Sequence, residues 1–189
     1  SIAIKEGIRY RMQEGLYKFS VKNTIGYYRD YSGRVKIEPA EAEIVHYIYD
    51  TFLEGASPQE IADSLTQQGI RSPKGMERWG QSTIRSILRN EKYVGDVLYQ
   101  KTYSKDYLSH KTVKNKDILP QWFWENNHPA IIDREKWNRV QELIASGKFG
   151  KRSTPIEAMK KKFTVAKVKS GVLRGCFLHH LCTYFAGYY

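Results

Sequence analysis

Two arginines one helical turn apart stand in the segment WGQSTIRSILRN, residues 79–90, with no acidic residue beside them. The apolar residues of this segment recur at the i, i+3, i+4 spacing that gives a helix one buried face: Ile84, Ile87 and Leu88. Arg85 and Arg89 then fall on another face, where like charges at this spacing repel by about 0.2–0.5 kcal/mol. The pattern indicates either a solvated helix surface or a face whose charge is neutralised by an anion outside the chain.

Hydrogen-bond donors at the start of the same helix add to this pattern. Ser82 and Thr83 stand near the N-terminus, where free backbone N–H groups suit phosphate oxygens, and Gln81 lies one turn before Arg85. An arginine can donate two hydrogen bonds to the O6 and N7 atoms of guanine in the major groove of DNA. These residue types therefore suit contact with a nucleic acid.

Possible metal ligands occur near the other end of the chain, in CFLHHLC. Cys176 and Cys182 flank His179 and His180, and thiolate and imidazole are both good ligands for zinc. The spacing matches no closed four-ligand site, and no second Cys/His pair follows. We expect this chain by itself to hold no metal, with Cys176 and Cys182 as weak candidates, and two cysteines do not make a disulfide framework.

The sequence lacks the spacing patterns of familiar catalytic centres. It contains no G-x-S-x-G, H-E-x-x-H or phosphate-binding glycine motif. His46 lies in an apolar helical pattern that predicts packing, and His128 precedes a proline in a predicted loop. The aromatic run QWFWENNHP, residues 121–129, fits a stacking platform or a buried patch, and burial is the commoner outcome.

Charge favours a polyanionic partner, because the chain carries a net +11 and has a pI near 9.5. Residues 148–169 hold eight Lys/Arg and one acid, Arg174 adds one charge, and the first 147 residues carry only +3. No run of about 18 apolar residues predicts a membrane-spanning helix, so no membrane partner is expected. The start has no signal-peptide pattern and no initiator Met, so we expect a cytoplasmic, nucleoid-associated protein whose chain begins inside a longer one.

Helix signals are clear in the first half of the chain. Residues 1–15 have a helical pattern that ends near Gly15, and RVKIE alternates like a short strand. Pro39 opens a helix at its first position, with Ile44, Ile48 and Phe52 along one face. Ser57 opens the next helix with the capping box SPQE, in which Ser57 and Glu60 satisfy each other's backbone N–H groups.

The second half is mixed. YVGDVLYQ and AIID look like strands, and the polar stretch at residues 101–121 looks like a mobile loop. Asp133 is predicted to cap a last helix, REKWNRVQELIAS. Ile132 and Trp137, on either side of that cap, can pack together as a hydrophobic staple. The elements together predict an α+β fold, mainly helical, with a helix-turn-helix-like core and a small β-sheet.

The helix opened by Ser57 and the helix within residues 79–90 resemble a helix-turn-helix. In that motif the first helix braces the second, which enters the major groove. The connection here has about eleven residues, whereas the usual turn has about three or four. It carries the basic residues Arg71, Lys74 and Arg78, which suits a loop that contacts the DNA backbone.

Four segments in order resemble the recombinase domain of the large serine recombinases: GYYRD, IEPAEAEIVHYIYDTFLEGASPQEIADSLTQQGI, SPKGMERWGQSTIRSILRNEKYVGDVLY and NHPAIIDREKWNRVQELI. Together they cover about residues 26–144. The resemblance implies the sequence-specific DNA-binding part of a protein that integrates, inverts or excises DNA at specific sites. It also implies that the nucleophilic serine and the self-association surface belong to an N-terminal domain outside this chain, so that no residue here is catalytic.

Two departures from the family pattern concern the ends of this region. The linker usually carries a Gly/Pro-rich stretch, where this chain has KFSVKNTIGYY. The family's next module is a zinc ribbon entered through a segment like SGVLRGC. It usually opens with a close Cys pair and supplies another pair later, whereas here GCFLHHLC stops soon after, so the ribbon is truncated, altered or lost. The resemblance therefore implies no cofactor for this chain and possible zinc in the full-length protein.

The resemblance divides the chain into the end of a linking helix with its linker (1–19), a recombinase DNA-binding domain (20–147), and a basic linker with an incomplete ribbon (148–189). The alternatives are a helix-turn-helix transcription regulator without recombinase activity, or a protein-interaction module whose charge only aids solubility. The predicted contacts with double-stranded DNA are Lys18, Lys22, Arg71, Lys74, Arg78, Gln81, Ser82, Thr83, Arg85 and Arg89.

Overall fold

The structure, a computed structural model, describes residues 2–104, 112–116, 118–147 and 164–165. Helices provide most of the regular structure in those ranges: α1 (Ile2–Gln13), α2 (Pro39–Leu53), α3 (Pro58–Gln67), α4 (Gln81–Leu88) and α5 (Arg134–Ala145). None of these helices has the length and hydropathy needed to span a bilayer.

Local signals set the helix starts as predicted. Pro39 occupies the first position of α2. At α3, the Glu60 N–H donates to the Ser57 Oγ at 3.2 Å and the Ser57 N–H donates to the Glu60 carboxylate at 2.6 Å, so the capping box is confirmed. Asp133 precedes α5 at the expected position, but its side chain makes no capping hydrogen bond.

Two antiparallel hairpins lie outside the helices. β1 (Tyr27–Arg29) pairs with β2 (Val35–Ile37), which contains the strand predicted in RVKIE. β4 (Thr102–Ser104) pairs with β5 (Thr112–Lys114), so the prediction of an irregular loop over residues 101–121 is wrong for this part. The Asn115 side chain closes this second hairpin by donating to the Gln100 and Leu119 carbonyls.

A small sheet joins distant parts of the sequence. β3 (Val97–Tyr99) pairs antiparallel with β6 (Trp122–Trp124), which pairs parallel with β7 (Thr164–Val165). The prediction of a strand at AIID is wrong, because residues 130–133 form no strand and the chain bends at Ile131 and Ile132 before α5. The Ile131 and Ile132 N–H groups both donate to the Tyr93 carbonyl. These two backbone donors are therefore used in a turn and cannot pair with a neighbouring strand.

The main core lies between α2, α3, α4 and α5, and the α+β class predicted from the sequence is confirmed. On α2 the buried stripe is rotated from the predicted one, since Ile44 is only half-buried whereas Val45 and Tyr49 are fully buried. The stripe predicted for α4 is buried, and so is Trp137 of α5. The other helices also bury one face each: Ile61, Ala62 and Leu65 on α3, and Val140 and Ile144 on α5.

A second apolar cluster attaches the segment after α1 to the small sheet. Phe19 packs with β3 and β6, and the Tyr99 hydroxyl donates to the Tyr17 carbonyl at 2.6 Å. The Trp124 indole N–H donates to the Met12 carbonyl at 2.9 Å. The aromatic run at 121–129 is therefore a buried patch, as favoured from the sequence, and not a stacking platform. These contacts join residues 1–19, which the sequence assigned to the linking helix and linker, to residues of the domain at 20–147. The stretch assigned to the linker therefore packs directly on that domain.

Candidate nucleic-acid interface

Helix α4 is held from behind by three helices. Its Ile84 and Leu88 side chains are essentially inaccessible, and α4 packs against α2, α3 and α5. Side chains from two of these helices reach its last carbonyl groups: the Tyr49 hydroxyl donates to the Ile87 carbonyl at 3.0 Å, and the Gln141 amide donates to the Leu88 carbonyl at 2.6 Å. Carbonyls at a helix end have no partner within the helix, so these contacts fix where α4 stops.

The opposite face of α4 is open. Ser82, Arg85 and Ser86 are exposed there. Gln81 is half-buried, and its side-chain amide donates to the Gln59 side chain of α3 at 3.3 Å. The open face therefore presents one long cation and two hydroxyl groups on a helix whose other side is locked in the core.

The connection between α3 and α4 flanks this face. It runs from residue 68 to residue 80, and Arg71, Lys74 and Arg78 are all exposed. Trp79 anchors its end: the side chain is 1% exposed, its indole N–H donates to the Ile70 carbonyl at 2.8 Å, and its backbone N–H donates to the Thr66 hydroxyl at 3.0 Å.

A groove of about 230 Å³ runs between α4 and this connection, and we name it the α4 groove. Lys74 lines it together with two predicted site residues, Ser82 and half-buried Thr83. The sequence reasoning missed its other polar residues, of which Ser86 was detectable as the residue one turn after Ser82. Asn23 was not detectable, because it comes from the distant segment before β1. The missed polar residues of the α4 groove are Asn23, Ser86 and Asn90.

The prediction that Arg85 and Arg89 share an open face needs correction. Arg89 follows the last residue of α4 with φ −98° and ψ 0°, outside regular helix geometry. It is half-buried with its Nε atom enclosed, and it lies at a small cleft lined by Phe52 and Ile144, which the exposed Arg85 also borders. The two arginines are thus not equivalent, and Arg85 is the more accessible of them.

The two predicted lysines before β1 lie to the side of α4. Lys22 is exposed next to Asn23, which lines the α4 groove. Lys18 is exposed at a different cleft, between the segment after α1 and the β1–β2 hairpin. The structure thus groups Lys74, Ser82 and Thr83 directly, and places Lys18 outside that group.

Buried ionisable groups serve the framework rather than this surface. The Arg134 guanidinium donates to both carboxylate oxygens of fully buried Asp96, at 2.7 and 2.8 Å, and these hydrogen bonds raise the pKa of Arg134. Burial lowers the pKa of His128 to about 4. No group of three or more potential metal ligands occurs in the described part of the chain, and Cys176 and Cys182 lie outside it.

The sequence profile of the Recombinase family matches residues 39–147, which is more than half of the chain. The chain therefore belongs to the recombinase family, and the resemblance noted in the sequence is confirmed. The matched residues run from the first residue of α2 past the end of α5, so they include the whole of α3, α4 and their connection.

Individual relatives agree with this assignment. A protein of Bacillus subtilis (strain 168) named "Putative DNA recombinase" is 31% identical over 123 residues, which make up 60% of this chain and 25% of that protein. The chain thus spans about a quarter of that curated relative.

One solved structure has a similar fold, and a second is a weaker match. A crystal structure of an LSR–DNA complex matches with a TM-score of 0.50 and 23% identity, over 76% of this chain and 38% of that one. A structure concerned with the sequence requirements of the Listeria innocua prophage attP site matches with a TM-score of 0.48 and 23% identity, over 76% and 51% of the two chains.

Proposed function

We propose that this chain is a sequence-specific DNA-binding part of a site-specific serine recombinase, and that α4 lies in the major groove. The observation that carries the proposal is the division of α4 into a locked face and an open face. Ile84 is fully buried, whereas Arg85 and Ser82 are exposed on the other side. The major groove is wide enough to admit a helix, and an arginine on the open side reaches base edges.

The surroundings of α4 support a division of labour between bases and backbone. Arg85 is the candidate for a paired hydrogen bond to guanine, while the hydroxyl groups of Ser82 and Thr83 in the first turn suit a phosphate; the Thr83 backbone N–H already donates to the Gly80 carbonyl at 2.9 Å. Lys74 and Arg78 on the flanking connection are placed to meet the phosphate backbone, which fixes position and carries no sequence information.

The proposal assigns the cutting and rejoining of DNA to a separate domain of the parent protein. Family resemblance supports this assignment, because it implies that the nucleophilic serine and the self-association surface belong to an N-terminal domain. This chain would then hold the parent protein on the DNA of the nucleoid. Purified, this chain should leave supercoiled plasmid intact, because no serine of it inherits the nucleophile's role. Nicking that persists through stringent purification would contradict this part.

Single substitutions on α4 and its connection test the binding mode. The probes are a duplex enriched by in vitro selection with this chain and a scrambled duplex of equal length, measured by fluorescence anisotropy at fixed salt. Arg85→Ala should cost about 1–3 kcal/mol on the selected duplex and relax the preference at one base pair. Lys74→Ala and Arg78→Ala should weaken both duplexes by the same factor.

Arg139→Ala is the matched control for Arg85→Ala, because Arg139 is an exposed arginine on α5, away from the open face of α4. It removes the same charge and should leave the ratio of the two affinities unchanged. Equal losses on both duplexes for Arg85→Ala would mean that α4 only rests on the backbone. Base readout would then have to lie elsewhere on the chain.

A further inference from the structure

A second basic surface lies beside the body, and we name it the basic cleft. It has a volume of about 430 Å³ and lies between residues 15–19, the β1–β2 hairpin and residues 127–129. Four of its lining residues are cationic and none is acidic: Lys18, Arg29, Arg34 and Lys36. Its volume falls in the range of ligand sites, roughly 300–1,000 Å³.

The four cations have different tasks. Arg29 donates to the Gly33 carbonyl at 2.5 Å and to the Phe19 carbonyl at 2.6 Å, so it holds the two walls together. Lys18, Arg34 and Lys36 are exposed, and none of them forms an ion pair within 4.0 Å in the described part of the chain. Three cations are therefore available to an anion that enters the cleft.

One carboxylate lies near the cleft without lining it. Asp30, in the turn after β1, accepts hydrogen bonds from the Ser32 hydroxyl and from the Arg34 backbone N–H. The Ser32 hydroxyl is the main cause of a lowered pKa at Asp30, and Lys36 contributes a smaller electrostatic effect. Because Asp30 is partly exposed to solvent, water screens its effect on the cations of the cleft.

The walls of the basic cleft are fixed by the packing of Phe19. The Lys92 ammonium lies 4.7 Å from the centre of the Phe19 ring and donates to the Ser20 carbonyl at 3.2 Å. The His128 ring also packs on Phe19, with 4.7 Å between ring centres. An anion would therefore enter a cleft whose walls are already in place, which lowers the entropic cost of binding.

Gly33 admits Lys18 to the hairpin. It has φ +80°, which favours glycine, and a Cβ atom on it would stand 2.6 Å from the Lys18 ammonium nitrogen. The lysine of the segment after α1 thus lies directly over the turn that carries Arg34. This approach joins two distant segments of the sequence into one cationic surface.

We propose that the basic cleft binds a phosphodiester group of the same DNA duplex that α4 reads. This inference rests on the proposed function. Lys18 at the cleft and Asn23 at the α4 groove are five residues apart, a span of at most about 18 Å in extended chain. A major groove of about 12 Å and a minor groove of about 6 Å together span about 18 Å. One duplex can therefore contact both the α4 groove and the basic cleft.

The test measures the salt dependence of DNA binding by the full chain carrying Arg34→Ala, Lys36→Ala or both. The probes are the selected and the scrambled duplex, at KCl concentrations from about 50 to 200 mM. Each lost phosphate contact should reduce the slope of log K against log salt by about 0.9, which corresponds to about 3.5-fold in affinity over that range. The double variant should lose about twice as much slope, with the ratio between the two duplexes unchanged.

Arg139→Ala serves as the control for charge alone, since Arg139 does not line the basic cleft. If the unsubstituted chain binds neither duplex, the proposed function fails. If that chain binds DNA but the double variant retains the slope of Arg139→Ala, the cleft proposal is overturned while the role of α4 stands.

A second arm separates the DNA backbone from a free anion. Inorganic phosphate is titrated into the chain while the amide signals of residues 29–36 are followed by NMR. Saturable phosphate binding without any change in the DNA slope of the double variant would assign the cleft to a small anion and overturn the proposal. Melting curves of the variants should match the unsubstituted chain, because Arg34 and Lys36 are exposed.

Discussion

The carbonyl groups at the end of α4 provide a sharp test of how the helix is held. Tyr49→Phe removes one hydroxyl and keeps the aromatic ring, so the change isolates a hydrogen bond inside the core. The Tyr49 side chain is fully buried, and its hydroxyl donates to the Ile87 carbonyl at 3.0 Å and to the Leu88 carbonyl at 3.4 Å. Burial raises the pKa of Tyr49 well above its ordinary value, so the hydroxyl stays a donor at neutral pH.

The expected magnitude follows from the partners that each carbonyl keeps. The Ile87 carbonyl still accepts the Asn90 N–H at 3.1 Å, so Tyr49→Phe should cost an ordinary hydrogen bond, about 1 kcal/mol. Gln141→Leu removes the 2.6 Å bond to the Leu88 carbonyl and leaves only the long contact from Tyr49, which should cost about 1–3 kcal/mol. Because both side chains serve the Leu88 carbonyl, the double variant should deviate from additivity by at least about 0.5 kcal/mol.

Urea unfolding of the single and double variants measures these free energies. Tyr47→Phe is the matched control, because the half-buried Tyr47 hydroxyl shares its hydrogen bond with the Ser64 hydroxyl of α3 and not with α4. The control should change the free energy of unfolding by about 0.5 kcal/mol or less and should leave Gln141→Leu additive. Strict additivity between Tyr49→Phe and Gln141→Leu would refute the shared-acceptor reasoning.

Three further predictions concern pH, the basic stretch and metal. Burial lowers the pKa of His128 from 6.5 to about 4, so the unfolded chain binds a proton first and stability is lost as the pH falls through that window. The free energy of unfolding should fall by at most about 3 kcal/mol, and this pH-dependent loss should be absent in His128→Phe when urea unfolding is measured at graded pH. The same pH dependence in His128→Phe and in the unsubstituted chain would contradict this. Deleting residues 148–169, which carry +7, should flatten the salt dependence of DNA binding and leave the preferred sequence unchanged, so a new preference would count against the idea. Cys176 and Cys182 should fail to hold zinc through dialysis against a weak chelator, and stoichiometric zinc in elemental analysis would show otherwise.

Short-range signals made the helices predictable. A capping box such as that of Ser57 and Glu60 is complete within four residues, so the chain carries the whole instruction locally. Strand pairing depends on partners far apart in sequence, and here the prediction was right only in part: RVKIE contains β2 and YVGDVLYQ contains β3, whereas AIID forms no strand. β3 pairs with β6, whose tryptophans belong to a run that predicted a stacking platform or a buried patch rather than a strand. The Ile131 and Ile132 N–H groups of AIID donate to the Tyr93 carbonyl in a short 3-10 helix, Glu91–Val94.

The candidate site was predictable to the extent that it depends on helical periodicity. A period of 3.6 residues places Arg85 on the side of the helix opposite Ile87, and the structure exposes it. The same rule failed for Arg89, because α4 ends at Leu88 and the next residue turns towards α2 and α5. The end of α4 is set by Tyr49 of α2 and Gln141 of α5, which bind its last carbonyl groups. These two residues are far from α4 in the sequence, so the local pattern does not show where the helix ends.

The long connection before α4 is compatible with a helix-turn-helix arrangement because Trp79, near its end, returns to α3. The Thr66 hydroxyl donates to the Ala62 carbonyl inside α3 and accepts the backbone N–H of Trp79, just before α4 begins. The indole N–H of Trp79 is bound to the Ile70 carbonyl, at the other end of the connection. The two ends of the connection are therefore joined through one buried tryptophan, so the spacing between α3 and α4 does not depend on the number of residues between them. The additional residues project as an exposed loop carrying Lys74 and Arg78, where the proposal places contacts with the DNA backbone.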